Sequence, residues 1–164
     1  MGKFAKQNLF WSRLKFMKKE EIIIFKSLIG NIIIKSFNKK ISRIHTTNKK
    51  IQISKNNLLI NAKEEILDYL SKKRKLFSIP LDINGTDFQK SVWNEISKIP
   101  YGETTTYLNI SNVLRSSPRA VGQACGQNPI LLIIPCHRVI SKSSTLTGFS
   151  AVGGIEIKKK LLNV

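Results

Sequence analysis

Apolar residues change their spacing near Pro80, and that change restricts the chain to a mixed fold. Between Glu21 and Ser54 they come in short β-branched runs, Ile22–Phe25, Asn31–Phe37, Ile41–His45 and Lys50–Ser54, separated by Gly30, Asn38 and Asn48. Leu58–Ile60 reads as a further, shorter strand. Asn61 then stands as a helix cap with Glu64 three positions on, and Ile66, Leu67 and Leu70 follow at helical spacing. Lys72–Lys75 would complement the dipole of that helix, which is expected to end near Phe77. Beyond Thr86, Phe88, Val92, Trp93 and Ile96 form one helical face. The fold class implied is α+β: a sheet-plus-helix scaffold over residues 1–80 and a mainly helical unit over 81–164.

Charge divides at the same place. Lys and Arg total 28 against 10 Asp and Glu, a net +18, and residues 1–80 hold 19 of the basic and 5 of the acidic ones. An excess of this size suits phosphate-bearing or other anionic partners. A compositional bias toward Lys, Ile and Asn produces it equally, so charge alone does not name the partner. Two cysteines and two histidines are too few for a disulfide scaffold, a four-cysteine zinc site or a His-rich metal centre. Lys26, Asn31 and Lys35 interrupt every apolar stretch short of the ~20 residues of a membrane span, so the chain reads as soluble. Met1–Lys19 is basic and carries Phe4, Leu9, Phe10, Trp11, Leu14 and Phe16, without the apolar core of a secretory signal. A membrane-touching amphipathic helix is one reading of it. A disordered or extraneous extension over residues 1–16, with Met17 as the true start, is the other.

The chemistry-bearing residues lie in the second half. Pro100-Tyr101-Gly102 stops one helix, and Thr104–Leu114 predicts a second with Tyr107, Ile110 and Leu114 on one side. Ser117 and Pro118 then have the character of an N-cap and a first helical residue. Two short helices joined by a tight turn outline a helix-turn-helix. Its second helix presents Arg119 and Gln123 beside the small residues Ala120, Gly122 and Ala124, a face open either to close packing or to a narrow groove. Cys125 reads as a small packing residue. Asn128-Pro129 and the apolar run Ile130–Ile134 lead into Pro135-Cys136-His137-Arg138, which puts a thiol where a buried segment turns. An adjacent imidazole and guanidinium are expected to lower the thiol's pKa. His45 reads as a strand residue.

In this order Ile99-Pro100-Tyr101-Gly102-Glu103-Thr104, Ser117-Pro118-Arg119-Ala120-Val121-Gly122, Asn128-Pro129 and Pro135-Cys136-His137-Arg138-Val139-Ile140 resemble the O6-alkylguanine-DNA alkyltransferases over residues ~81–162. The resemblance implies a ribonuclease-H-like layout in the first half and a winged helix-turn-helix in the second. It implies that Cys136 accepts the alkyl group once, that His137 deprotonates it through a water, and that Asn128 braces the turn around it. Tyr107 would help rotate the nucleotide and donate to the guanine, and Ser150 would offer its backbone N–H to O6. The carbonyls of Cys136 and Val139 would accept from the base amino group, with Arg138 in the same pocket. Ser117, Pro118, Arg119, Ala120, Gly122 and Gln123 would meet the minor groove, and Arg119 would fill the space of the extruded base. The implied partner is double-stranded DNA containing O6-alkylguanine, met by a monomer in a reducing, cytoplasmic compartment, with no membrane, no cofactor and no metal.

Two departures stand out. The family carries a glutamate beyond the closing Leu-Leu that orients the histidine, whereas Leu161-Leu162 is followed here by Asn163 and Val164. The Val164 carboxylate or a solvent network is expected in its place. Val152-Gly153-Gly154 also lengthens the loop after Ser150. A non-catalytic helix-turn-helix DNA-binding protein would explain residues 104–126 and the charge, but it leaves Pro135–Arg138 without purpose. A cysteine hydrolase would need a base facing the thiol from elsewhere in the chain.

Overall fold

The computed structural model describes residues 20–143, 146 and 148–164. Strands β1 (Glu21–Ser27), β2 (Gly30–Phe37) and β3 (Lys40–Thr47) form an antiparallel sheet in the order β1-β2-β3. Asn38 and Lys39, at φ 52° and 60°, turn β2 into β3, the paired positive φ of a tight hairpin. Ile41 and Ile44 are three apart and yet both enter the main core. A straight strand would send them to opposite faces, but a register shift opposite Lys35 and Ser36 restores the phase. Helix α1 (Asn57–Leu70) lays Leu59, Ala62, Ile66 and Tyr69 against this sheet.

Three local expectations are corrected here. Leu58–Ile60 is the first turn of α1, not a strand, because Asn56, not Asn61, caps the helix: its Oδ1 accepts the N–H groups of Leu58 (2.8 Å) and Leu59 (3.4 Å). The helix ends at Leu70, not near Phe77, since Ser71 caps it and Lys72 turns to φ 63°, which leaves Lys72–Lys75 outside the last turn. Lys50–Ser54 forms no strand but a single bridge from Gln52 to Ile24, with Ile51 and Ile53 exposed.

After residue 86 come α2 (Asp87–Ser97), β4 (Thr105–Thr106), α3 (Tyr107–Val113), α4 (Pro118–Gly126), β5 (Val139–Ile140) and α5 (Gly154–Leu162). Thr86 closes a capping box with Gln89 at the start of α2. The predicted helix over Thr104–Leu114 is shorter than expected, because Thr105 and Thr106 pair in parallel with Val139 and Ile140 before Thr106 caps α3. The indole N–H of Trp93 donates to the Ala124 carbonyl (2.9 Å) and ties α2 to α4. All the buried apolar residues except Ile24 and Ile33 belong to one cluster running from Ile23 to Leu161. Among the described residues no helix is long and apolar enough to cross a membrane.

Candidate active site

Cys136 sits where a folded apolar segment ends. Ile134 donates to the Ile130 carbonyl (3.1 Å) to close the turn, and Leu132 between them stands at φ 75°. That left-handed conformation costs a leucine about 1–2 kcal/mol, and burial of Ile130, Leu131, Leu132 and Ile134 holds it. Cys136 then opens a 3₁₀ turn with His137 and Arg138, its N–H on the Ile134 carbonyl at 2.8 Å. One amide braces the whole arrangement. Asn128 Oδ1 accepts from the Ile130 N–H (2.8 Å), while Nδ2 donates to the Ile134 carbonyl (2.8 Å) and to Cys136 Sγ (3.2 Å).

The thiol, only 4% exposed, lies in the wall of a cleft of about 630 Å³ shared with Tyr107, Pro118, Arg119, Gly122, Cys125, Phe149 and Ser150. Arg119 and Pro118 are exposed near the start of α4, which Ser117 caps through the Ala120 N–H (3.2 Å). Gln123 is exposed on the same helix, and Ala120 and Gly122 are half-buried. Ala124 turns out to be buried, so it does not belong to the small exposed face. Gly122 and Gly126 do. A Cβ on Gly122 would touch only Tyr107 Cε1, at 3.9 Å, and one on Gly126 would meet nothing within 4 Å. Packing within the protein therefore does not require either glycine.

The expected electrostatics of the Pro-Cys-His-Arg run are corrected. Successive residues of a 3₁₀ turn point about a third of a revolution apart, so neighbours in sequence do not share a direction. The Arg138 guanidinium turns away from the cleft, donating to the carbonyls of Ile99 and Pro100 (3.1 Å each) and to the Tyr69 hydroxyl (2.7 Å). It pins the turn to α1 and to the segment just after α2 and does not serve the pocket. His137 is 1% exposed, and neither ring nitrogen has a hydrogen-bond partner among the described residues. Burial, with Arg138 and Lys158 nearby, pushes its pKa down to about 3, so the imidazole is neutral. The Val164 oxygen accepts from the Tyr101 hydroxyl and does not orient His137.

Burial and the neighbouring Cys125 push the Cys136 thiol well above its ordinary range, against which Asn128 and the Lys158 ammonium favour the thiolate. Lys158 is fully buried, with Nζ on the Val139 carbonyl (2.7 Å), 3.5 Å from the Tyr107 hydroxyl and 5.7 Å from the centre of that ring. Burial lowers its own pKa, and the two cysteines oppose that. Tyr107 is pushed up to about 12, chiefly by burial, and so stays protonated. Val139 is buried, and its carbonyl takes the lysine.

Sequence reasoning missed Lys158 and Cys125. Lys158 stands in Lys158-Lys159-Lys160, a run that reads as a solvated face, and only its helical phase with Ile157 and Leu161 marks it. Cys125 follows Gly122 by three and Arg119 by six, one stripe of α4. Among the described residues no group of three or more His, Cys, Asp or Glu could hold a metal.

Residues 87–164 match the family model described as the DNA-binding domain of 6-O-methylguanine DNA methyltransferase. The inducible methylated-DNA–protein-cysteine methyltransferase of Bacillus subtilis is 39% identical over 166 residues, 97% of this chain and 91% of the relative. The Methanosarcina acetivorans protein with the same name, without "inducible", is 37% identical over 150 residues, 86% of this chain and 95% of the relative. A crystal structure of the Mycobacterium tuberculosis O6-methylguanine methyltransferase superposes with TM-score 0.78 at 32% identity, over 88% of this chain and 92% of that one. A structure of that organism's OGT in complex with DNA gives 0.76 at 33%, over 87% and 90%.

Proposed function

The chain belongs to the methylated-DNA–protein-cysteine methyltransferase family, and we propose that it repairs O6-alkylguanine in duplex DNA by moving the alkyl group, once and irreversibly, to Cys136. The observation that carries this reading is a buried thiol held by Asn128 in a cleft that also receives Arg119 and Tyr107.

The target carbon is out of reach in a stacked duplex, so the nucleotide must be extruded, at a cost of a few kcal/mol. In this reading α3 and α4 act as the helix-turn-helix of a winged unit over residues 81–164. Pro118, Ala120, Gly122 and Gln123 approach the minor groove, Ser117 keeps the start of α4 aimed at it, and Arg119 occupies the vacated stack. The free space over Gly122 and Gly126 supports this, since neither glycine answers a packing need. The basic excess of residues 1–80, a scaffold with ribonuclease-H-like layout, adds affinity for phosphate without sequence selectivity.

Sulfur attacks the alkyl carbon, the S–C bond forms, the C–O6 bond breaks, and the electron pair goes to guanine. The thiol's proton passes through a water to neutral His137, a transient acceptor. Tyr107 gives a proton to the base and is reprotonated, so that in sum the thiol's hydrogen ends on guanine. The Lys158 ammonium favours both the thiolate and the tyrosine oxygen as it releases its proton. Ser150 offers its N–H to O6, and Val139 retains one carbonyl lone pair for the base amino group. Arg138 holds the turn and does not touch substrate. O4-alkylthymine fits the same chemistry. The protein acts as a monomer, needs no metal or cofactor in this scheme, and works in the cytoplasm where the chromosome lies.

The test is incubation with duplex DNA carrying a labelled O6-methylguanine. One label per chain is expected, with none on Cys136→Ala. Multiple turnovers, or transfer by the alanine variant, would refute the assignment.

A further inference from the structure

We propose that Thr46 is a positioning residue: its hydroxyl lets the edge of the N-terminal sheet hold the loop that forms one wall of the Cys136 cleft. This rests on the alkyltransferase reading above.

Among the described residues the outer edge of β3 is hydrogen-bonded at three points, to residues 80 and 82, to 129 and 131, and to 152. Ile41 exchanges main-chain bonds with Pro80 and Asp82 (2.8 Å each), and Ile44 does so with Pro129 and Leu131 (2.9 Å each). Any side chain would permit these. The third contact needs a hydroxyl: Thr46 Oγ1, on a residue only 4% exposed, accepts the N–H of Val152 at 2.6 Å. Val152 lies two residues past Ser150, and Gly148, Phe149 and Ser150 line the cleft. Gly148, Gly153 and Gly154 all stand at positive φ, so this stretch has little stiffness of its own and depends on tethers.

The two walls are therefore held differently. The wall bearing Cys136 and Asn128 is fixed through the backbone of Ile44, which no substitution at position 46 removes. Among the described residues the wall bearing Ser150 is hydrogen-bonded to the sheet through one side chain, with Phe149 and Ala151 packed against the core. Loss of that hydroxyl should loosen the seat of the extruded base and leave the attack on it unchanged.

In single-turnover methyl transfer from an O6-methylguanine duplex, Thr46→Val is expected to raise the half-saturating DNA concentration about five- to tenfold. The rate at saturation should stay within about twofold of wild type, and Thr46→Ser should restore the half-saturation. A purely structural role would lower the reactive fraction and leave both constants unchanged. That result, or a fall confined to the saturating rate, or no rescue by serine, overturns the proposal. Hydrogen exchange on the unaltered protein is the second test, and it stands even if the valine variant does not fold. The Val152 amide should be protected like those of β3, and exchange at the open-loop rate would remove the tether. A wild-type protein that transfers no methyl group refutes the alkyltransferase reading instead, and the exchange result still decides the tether.

Discussion

From Ile23 to Leu70 the buried side chains are apolar except for Ser36 and Thr46, whereas between Ser111 and Lys158 the same core encloses an imidazole, a guanidinium and an ammonium. Apolar burial stabilises in proportion to area, about 1.5–3 kcal/mol for a whole isoleucine side chain, and tolerates small errors of placement. Buried polar groups cost free energy unless they are bonded, and their partners are specific. Arg138 donates three hydrogen bonds, Lys158 has one short bond, and His137 has none among the described residues. Satisfaction thus declines toward the groups that surround the thiol, which is where a protein can spend stability on reactivity.

Five substitutions, one of them read through a pH series, can break or sharpen this contrast. Ile34→Ala, in the apolar region, should cost about 2–5 kcal/mol in denaturant unfolding and leave the transfer rate per folded molecule unchanged. A slower rate at equal folded fraction would show that the sheet does more than support. Arg138→Met should cost about 3 kcal/mol by the same measurement, because two carbonyls and the Tyr69 hydroxyl lose a charged donor. Lys158→Met should slow methyl transfer by about tenfold and move its pH profile to higher pH, since removing the ammonium raises the thiol further. An unmoved profile would leave the lysine a structural role only.

The pH series concerns His137. Its folded pKa of about 3 lies below the unfolded value of 6.5, so protonation favours the unfolded chain. The contribution is intact above pH 6.5 and falls by roughly 1.4 kcal/mol per pH unit below it, until pH reaches about 3. His137→Gln should lack this component of acid destabilisation. Gly122→Ala is the mildest change. It should add up to about 1 kcal/mol of stability through helix propensity, since the new Cβ has room, while weakening binding to duplex DNA. Unchanged DNA binding would separate Gly122 from the groove-facing surface.

Legibility in the sequence followed the range of the causes. The hairpins β1–β2–β3 and the caps at Thr86 and Ser117 depend on residues a few positions apart, and local pattern suffices for them. Leu58–Ile60 is too short for its periodicity to separate strand from helix, and a cap two residues before the run decided it. Cys136 and Asn128 stood out through an ordered series of motifs. The directions of His137 and Arg138 did not, because a 3₁₀ turn sends neighbours apart and the partners of Arg138, Ile99, Pro100 and Tyr69, lie 38 to 69 residues away. Lys158 was hidden by two exposed lysines beside it, and its burial is decided by tertiary packing of α5.

The cleft contains two thiols, and only one of them is braced by Asn128. Peptide mass mapping after reaction with O6-methylguanine DNA therefore tests the central claim most directly. The peptide holding Cys136 should gain the mass of one methylene, with the Cys125 peptide unaltered. A methyl group on Cys125, or on neither, would contradict the account.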